Sequence, residues 1–174
     1  MQNQNKLLAI YVAAKDLKDS VQNPTEFAKN IEFIKLLAAD QPDVLAKLAM
    51  LELYAGKQIA TPDGIKADLV RLRDALDTKK GGSFFENIER SFSRMVRISK
   101  LQGVVASTDY NSIIKRTQIA LDAKNYSLAL AEITKLGQSG KDIAQKIETM
   151  TSVAEVTNAV LDMARAKLIP NLGF

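Results

Sequence analysis

The 174-residue chain contains no cysteine, no histidine and no tryptophan. Without cysteine there are no disulfides, thiolate nucleophiles, zinc ribbons or iron–sulfur ligands, and reducing and oxidising compartments stay equally open. Without histidine, serine–histidine catalysis, imidazole metal sites and the usual pH switch fall away. Long apolar runs are also missing. Leu7 to Ala14, behind Lys6, superficially resembles the core of a signal peptide, but Lys15, Asp16 and Lys18 follow at once. The run is far below the ~20 residues that span a bilayer, so any membrane role is expected to be peripheral or to belong to chain outside this sequence. Proline and glycine are scarce, at 4 and 8 residues, so each one is informative as punctuation.

What is present is helical spacing. Leu7, Ile10, Ala14, Leu17 and Val21 step by three and four along a first helix. Asn23-Pro24 starts a second, with Phe27, Ile31, Ile34 and Ala38 on its inner face. Asp40 to Pro42 repeats that punctuation. A third helix follows with Val44, Leu48, Leu51 and Ala55, and Gly56 is expected to end it. Thr61-Pro62 opens a fourth, striped by Ile65, Leu69, Leu72 and Leu76. Leu101 to Val105 suits an extended connector. Beyond it, Ser107 or Thr108 is expected to cap a helix carrying Ile113, Ile114, Thr117, Ala120 and Leu121. Tyr126 to Leu136 reads as a shorter helix stopped by Gly137. From Ser139 a long last helix is predicted on Ile143, Ile147, Met150, Ala154, Thr157, Leu161, Ala164 and Leu168, with Val153, Val156 and Val160 widening the stripe in favour of burial among several helices, closed by Pro170.

The expected architecture is all-α: an irregular bundle of about seven to eight helices with a long C-terminal helix. The hairpin of Thr108–Asn125 with Tyr126–Leu136 falls in the size range of a tetratricopeptide unit. Residues 1–80 form an N-terminal four-helix segment, 81–100 an amphipathic helix and 101–174 a C-terminal helical segment, read together as one continuous domain.

Function concentrates in GGSFFENIERSFSRMVRISK, Gly81 to Lys100. Ser83 is placed to cap a helix with Phe84, Phe85, Ile88, Phe92, Met95 and Val96 on one side, and Arg90, Arg94 and Arg97 interspersed. Lys79, Lys80, Arg90, Arg94, Arg97 and Lys100 against Glu86 and Glu89 account for the whole net charge of +4. An aromatic, basic amphipathic helix suits an anionic lipid surface, a partner protein or a place in the core. The candidate binding residues are Phe84, Phe85, Ile88, Arg90, Phe92, Arg94 and Arg97. The neighbouring basic helix with Lys66, Arg71, Arg73, Lys79 and Lys80 is a rival.

No catalytic or cofactor signature emerges. Glu26, Glu32, Glu132, Glu148 and Glu155 are dispersed and read as solvated faces. Ser139-Gly140-Lys141 lacks the flanking residues of a phosphate loop. The chain is read as no enzyme, with no cofactor, metal, nucleic acid or small-molecule substrate.

Several segments in order resemble the C-terminal region of the alphaproteobacterial mitofilin family: LLAIYVAAKDLKDSVQNPTEFAKNIEFIKLLAAD, LAMLELYAGKQIATPDGIKADL, SFFENIERSFSRMVRI and IIKRTQIALDAKNYSLALAEITKLG. The most telling pieces are Phe27 after the loop proline, Ala55, Gly56 and Thr61, and the step from Ala120 to Leu130. The resemblance implies an inner-membrane scaffold whose anchor and coiled coil precede a helical region on the periplasmic side, and which self-associates and organises membranes. A homo-oligomer is therefore expected. A more distant likeness to a tetrapyrrole-operon membrane protein implies an alternative, a helical module that scaffolds an enzyme complex without lipid contact.

Overall fold

Pro24, Pro42 and Pro62 open helices as the punctuation predicts. The computed structural model describes residues 2–78 and 109–171, and among these there are six helices and a long C-terminal helix, with no strand. They are α1 (Gln2–Asp19), α2 (Pro24–Leu37), α3 (Pro42–Glu52), α4 (Pro62–Thr78), α5 (Tyr110–Asp122), α6 (Tyr126–Ile133) and α7 (Lys141–Leu168). A 3-10 segment, Thr134–Gly140, joins α6 to α7. The described chain divides into two compact units, residues 1–61 with 146–174, and residues 62–145.

In the first unit α1 packs on α2 and α2 on α3. Asn23 stands in an extended conformation before Pro24, and its side chain accepts from the Glu26 amide at 3.3 Å, satisfying one free donor of the first turn. In the preceding turn Asn30 Nδ2 donates to the Ser20 hydroxyl at 2.9 Å, which donates to the Leu17 carbonyl at 3.0 Å. The inner faces are those the spacing predicts: Leu7, Ile10, Ala14 and Leu17, then Phe27, Ile31, Ile34 and Ala38, then Val44, Leu48 and Leu51 are all buried. Each large side chain among them contributes about 1.5–3 kcal/mol by leaving water. Val21 and Ala55 are only half-buried, because α1 ends at Asp19 and α3 at Glu52, before either residue. Gly56, with φ of +73°, sits in the turn beyond α3 instead of ending it.

The last helix buries Ile143, Ile147, Met150, Thr157, Ala164 and Leu168 of its predicted stripe and departs from it at two positions. Val153, Val156 and Val160 are buried, whereas Ala154 is exposed and Leu161 half-buried. At 100° per residue the buried stripe in this half of the helix is turned by ~60° from the heptad ladder, towards the side that carries Val153, Val156 and Val160. α7 has 28 residues, about 40 Å at 1.5 Å each. Lys167 near its end reaches the Asp43 carboxylate at 2.7 Å and the Gln41 side chain at 3.2 Å, fastening it to the start of α3.

In the second unit α4 packs on α5 and α5 on α6. Ile65, Leu69 and Leu76 of α4 are buried, as are Ile113, Ile114, Thr117, Ala120 and Leu121 of α5. The N-cap of α5 is Asp109, whose carboxylate accepts from the Asn111 amide at 2.8 Å and the Ser112 hydroxyl at 2.9 Å. Asn125 caps α6 by accepting from the Leu128 amide at 3.0 Å. α6 is shorter than expected, ending at Ile133, and α7 begins at Lys141 and not at Ser139. Gly140 explains the tight junction: a Cβ there would lie 2.4 Å from the Ile133 carbonyl oxygen.

Candidate functional site

Phe84, Phe85, Ile88, Arg90, Phe92, Arg94 and Arg97 lie outside the described residues. What the structure does describe is where their segment leaves and rejoins the fold. Upstream, α4 ends at Thr78, and downstream Asp109 caps α5. The Tyr110 hydroxyl donates to the Asp77 carboxylate, so the two ends of the interval 79–108 are tied across the α4–α5 packing. Tyr110 is itself buried.

The charge balance separates this interval from the rest. Six of the 24 basic and two of the 20 acidic side chains fall in 79–108, which leaves 18 of each sign elsewhere. The helical body is electrically neutral and the interval holds the entire excess.

The rival basic face on α4 does not fare as well. Lys66 Nζ contacts Asp122 at 2.5 Å and Asp63 at 3.2 Å, Arg71 contacts Asp68 at 3.0 Å, and Arg73 contacts Asp74 at 3.1 Å. The hydrogen bonds to Asp122 and then Asp63 hold the Lys66 pKa above its ordinary value. Every described cation of that face thus has a carboxylate beside it, and the attraction left for an anionic surface is small. Lys79 and Lys80 lie outside the described residues.

One acidic residue differs from its predicted setting. Glu132 is not on a solvated face: it is 7% exposed, and its two carboxylate oxygens meet Arg116 Nε at 2.8 Å and Lys135 Nζ at 2.5 Å. Burial pushes its carboxyl up, but the hydrogen bonds from Lys135 and Arg116, with their charges, outweigh burial and hold the pKa below the ordinary range. A carboxylate with both oxygens committed joins α5 to α6 and is poorly placed to hand a proton to a substrate. Among the described residues no group of His, Cys, Asp or Glu is arranged to hold a metal ion. No described helix is long and apolar enough to cross a membrane.

A second surface escaped the sequence reading. On α2 Phe33 and Leu36 are 52% and 79% exposed, and Met50 of α3 and Leu53, its C-cap, are 48% and 66% exposed. Lys35 Nζ and Glu52, the residues just before Leu36 and Leu53, form an ion pair at 2.5 Å that ties the two helices together. The pair also holds the Lys35 pKa above its ordinary value, with Glu52 the main cause and Glu32 the next. The signal was available: α3 carries apolar residues on both faces, so only one can be buried in its own core.

These features define a chain that is all-α over its described residues, with a basic interval and exposed apolar side chains. No family model, curated protein or solved structure matches the chain.

Proposed function

We propose that the chain is the C-terminal part of a membrane-organising scaffold that acts by self-association and peripheral lipid contact, without a catalytic step. The observation that carries this reading is the uneven distribution of charge along the chain. A neutral helical body is joined, across the Asp77–Tyr110 tie, to an interval that holds all the net positive charge and three of the six phenylalanines. In the proposed mechanism Phe84, Phe85, Ile88 and Phe92 enter the acyl boundary while Arg90, Arg94 and Arg97 meet anionic headgroups. Placement at a bacterial inner membrane, on the periplasmic side, rests on the mitofilin-like order of segments, as does self-association. The full bundle then has seven to eight helices, with α5 and α6 as a tetratricopeptide-like hairpin.

A second reading, a protein-binding helical module without lipid contact, draws support from the exposed Phe33, Leu36, Met50 and Leu53 on a neutral unit. Sedimentation with phosphatidylglycerol-containing vesicles separates the two. The lipid reading expects the chain to pellet with vesicles at low salt, and a Phe85→Ser/Phe92→Ser variant with unchanged circular dichroism to remain in the supernatant. A parent chain that stays in solution leaves the protein-binding module as the surviving account, and a variant that pellets equally removes the assignment of lipid contact to Phe85 and Phe92.

A further inference from the structure

We propose that the outer face of α3 is the surface on which a second copy of this chain docks, as an antiparallel two-fold helix pair centred between Ala49 and Met50. The proposal rests on the self-association reading above and names its surface. Ala46, Ala49, Met50 and Leu53 are all exposed and recur at the i, i+3, i+4 and i+7 spacing of one helical face. At 100° per residue they share an arc of ~100°, opposite the buried Val44, Leu48 and Leu51, and Pro42 is the only other residue of the helix in that arc. No charged residue of α3 interrupts it.

The chemistry of the face selects its occupant. The carboxylates that flank it are engaged within the chain, Asp43 with Lys167 and Glu52 with Lys35, so the face asks for an apolar partner and not a charged one. The unit that presents it, residues 1–61 with 146–174, carries ten basic and ten acidic side chains, by count along the sequence. An anionic bilayer therefore exerts no net long-range pull on it, whereas a second copy meets no net repulsion.

The order of residues supplies the argument for self-pairing. A two-fold axis between positions 49 and 50 sets Ala46 against Leu53 of the second copy and Ala49 against its Met50. Each large side chain meets a small one, the alternation that lets facing helices interdigitate. An isologous pairing satisfies both halves at once. A single 11-residue helix buries less than the ~800 Å² per partner of a stable interface. Leu36 of α2, next to Lys35 of the Lys35–Glu52 pair that ties α2 to α3, is proposed to extend the surface, and the two-fold pair is expected to assemble in the micromolar range.

Because the chain has no cysteine, single-cysteine variants read the register directly. Under mild oxidation of the full chain, Ala49→Cys, beside the axis, is expected to form a disulfide dimer quickly. Ala46→Cys and Leu53→Cys are each expected to react slowly alone but quickly when mixed. Leu8→Cys on α1, also exposed, serves as the control for random collision. In sedimentation velocity the parent is expected to dimerise, and Met50→Glu with unchanged circular dichroism to be monomeric. Equal rates for Ala49→Cys, Ala46→Cys and Leu8→Cys overturn the proposed register. A dimer that persists in Met50→Glu moves self-association to another face and leaves the scaffold reading standing. A parent that stays monomeric at about 100 µM, well above the expected micromolar range, removes both the surface and the self-association part of that reading, while vesicle binding is judged separately.

Discussion

Replacing Glu132 by Gln removes one negative charge from between Arg116 and Lys135 while keeping the shape of the side chain. The carboxylate side chain is 10% exposed, against 34% for Arg116 and 45% for Lys135. Breaking a fully buried pair costs about 3–5 kcal/mol, and an exposed pair is worth about 0.2–1 kcal/mol. Here the anion is buried but both cations reach solvent, so the expected loss is about 1–2 kcal/mol. For a chain of this length that lowers Tm by about 2–8 °C. The pH dependence follows from the direction of the shift. The pKa in the folded chain lies below the ordinary 4.5, so the stabilisation is complete above the unfolded value and is lost as pH falls through the folded one. Thermal denaturation followed by circular dichroism is therefore expected to show the gap between parent and Glu132→Gln at pH 7 and its progressive narrowing as pH falls below the ordinary carboxyl value. Equal melting temperatures at pH 7, or a gap that persists undiminished at about pH 3, would refute the assignment of Glu132 as an ionised bridge between α5 and α6.

Three further perturbations test the packing. Gly140→Ala drives a methyl to 2.4 Å from the Ile133 carbonyl oxygen, and a loss of about 1–3 kcal/mol is expected in urea denaturation. Phe27→Ala empties a fully buried site on α2 and is expected to cost about 3–5 kcal/mol by the same measurement. Lys167→Met removes the principal cause of the lowered Asp43 pKa, so carboxyl titration by NMR should show that pKa rising towards its ordinary value, with a stability loss below about 1 kcal/mol because both side chains are partly exposed.

The sequence made the inner faces legible wherever a three-and-four spacing was bounded by a proline, as in α2 with Phe27, Ile31, Ile34 and Ala38. Spacing alone did less well on α7. A strict heptad ladder and the true buried stripe share most of their members, and only the neighbouring helices decide whether Val153 and Val160 or Ala154 and Leu161 turn inward. Glu132 looked like one more surface acid because one of its partners, Arg116, lies 16 residues away and meets it only once α5 and α6 pack. Ser20 was unremarked for a similar reason: its partner Asn30 lies on the next helix. The apolar outer face of α3 was present in the sequence, at Ala46, Ala49, Met50 and Leu53, but a short helix rich in apolar residues does not reveal which side its own core takes. The basic aromatic interval was legible by composition alone, and its residues remain those named from the sequence.

The central claim, that lipid contact resides in the interval 79–108 and not in the helical body, is tested most directly by replacing that interval with a flexible linker. The Asp77–Tyr110 tie holds the ends together, so about six residues, with a reach of roughly 20 Å, are enough to span them. The account predicts that the parent pellets with phosphatidylglycerol-containing vesicles in a salt-sensitive manner, while the linker variant keeps its helical circular dichroism and stays in solution. A folded linker variant that still pellets like the parent, or a parent that never pellets, would contradict it.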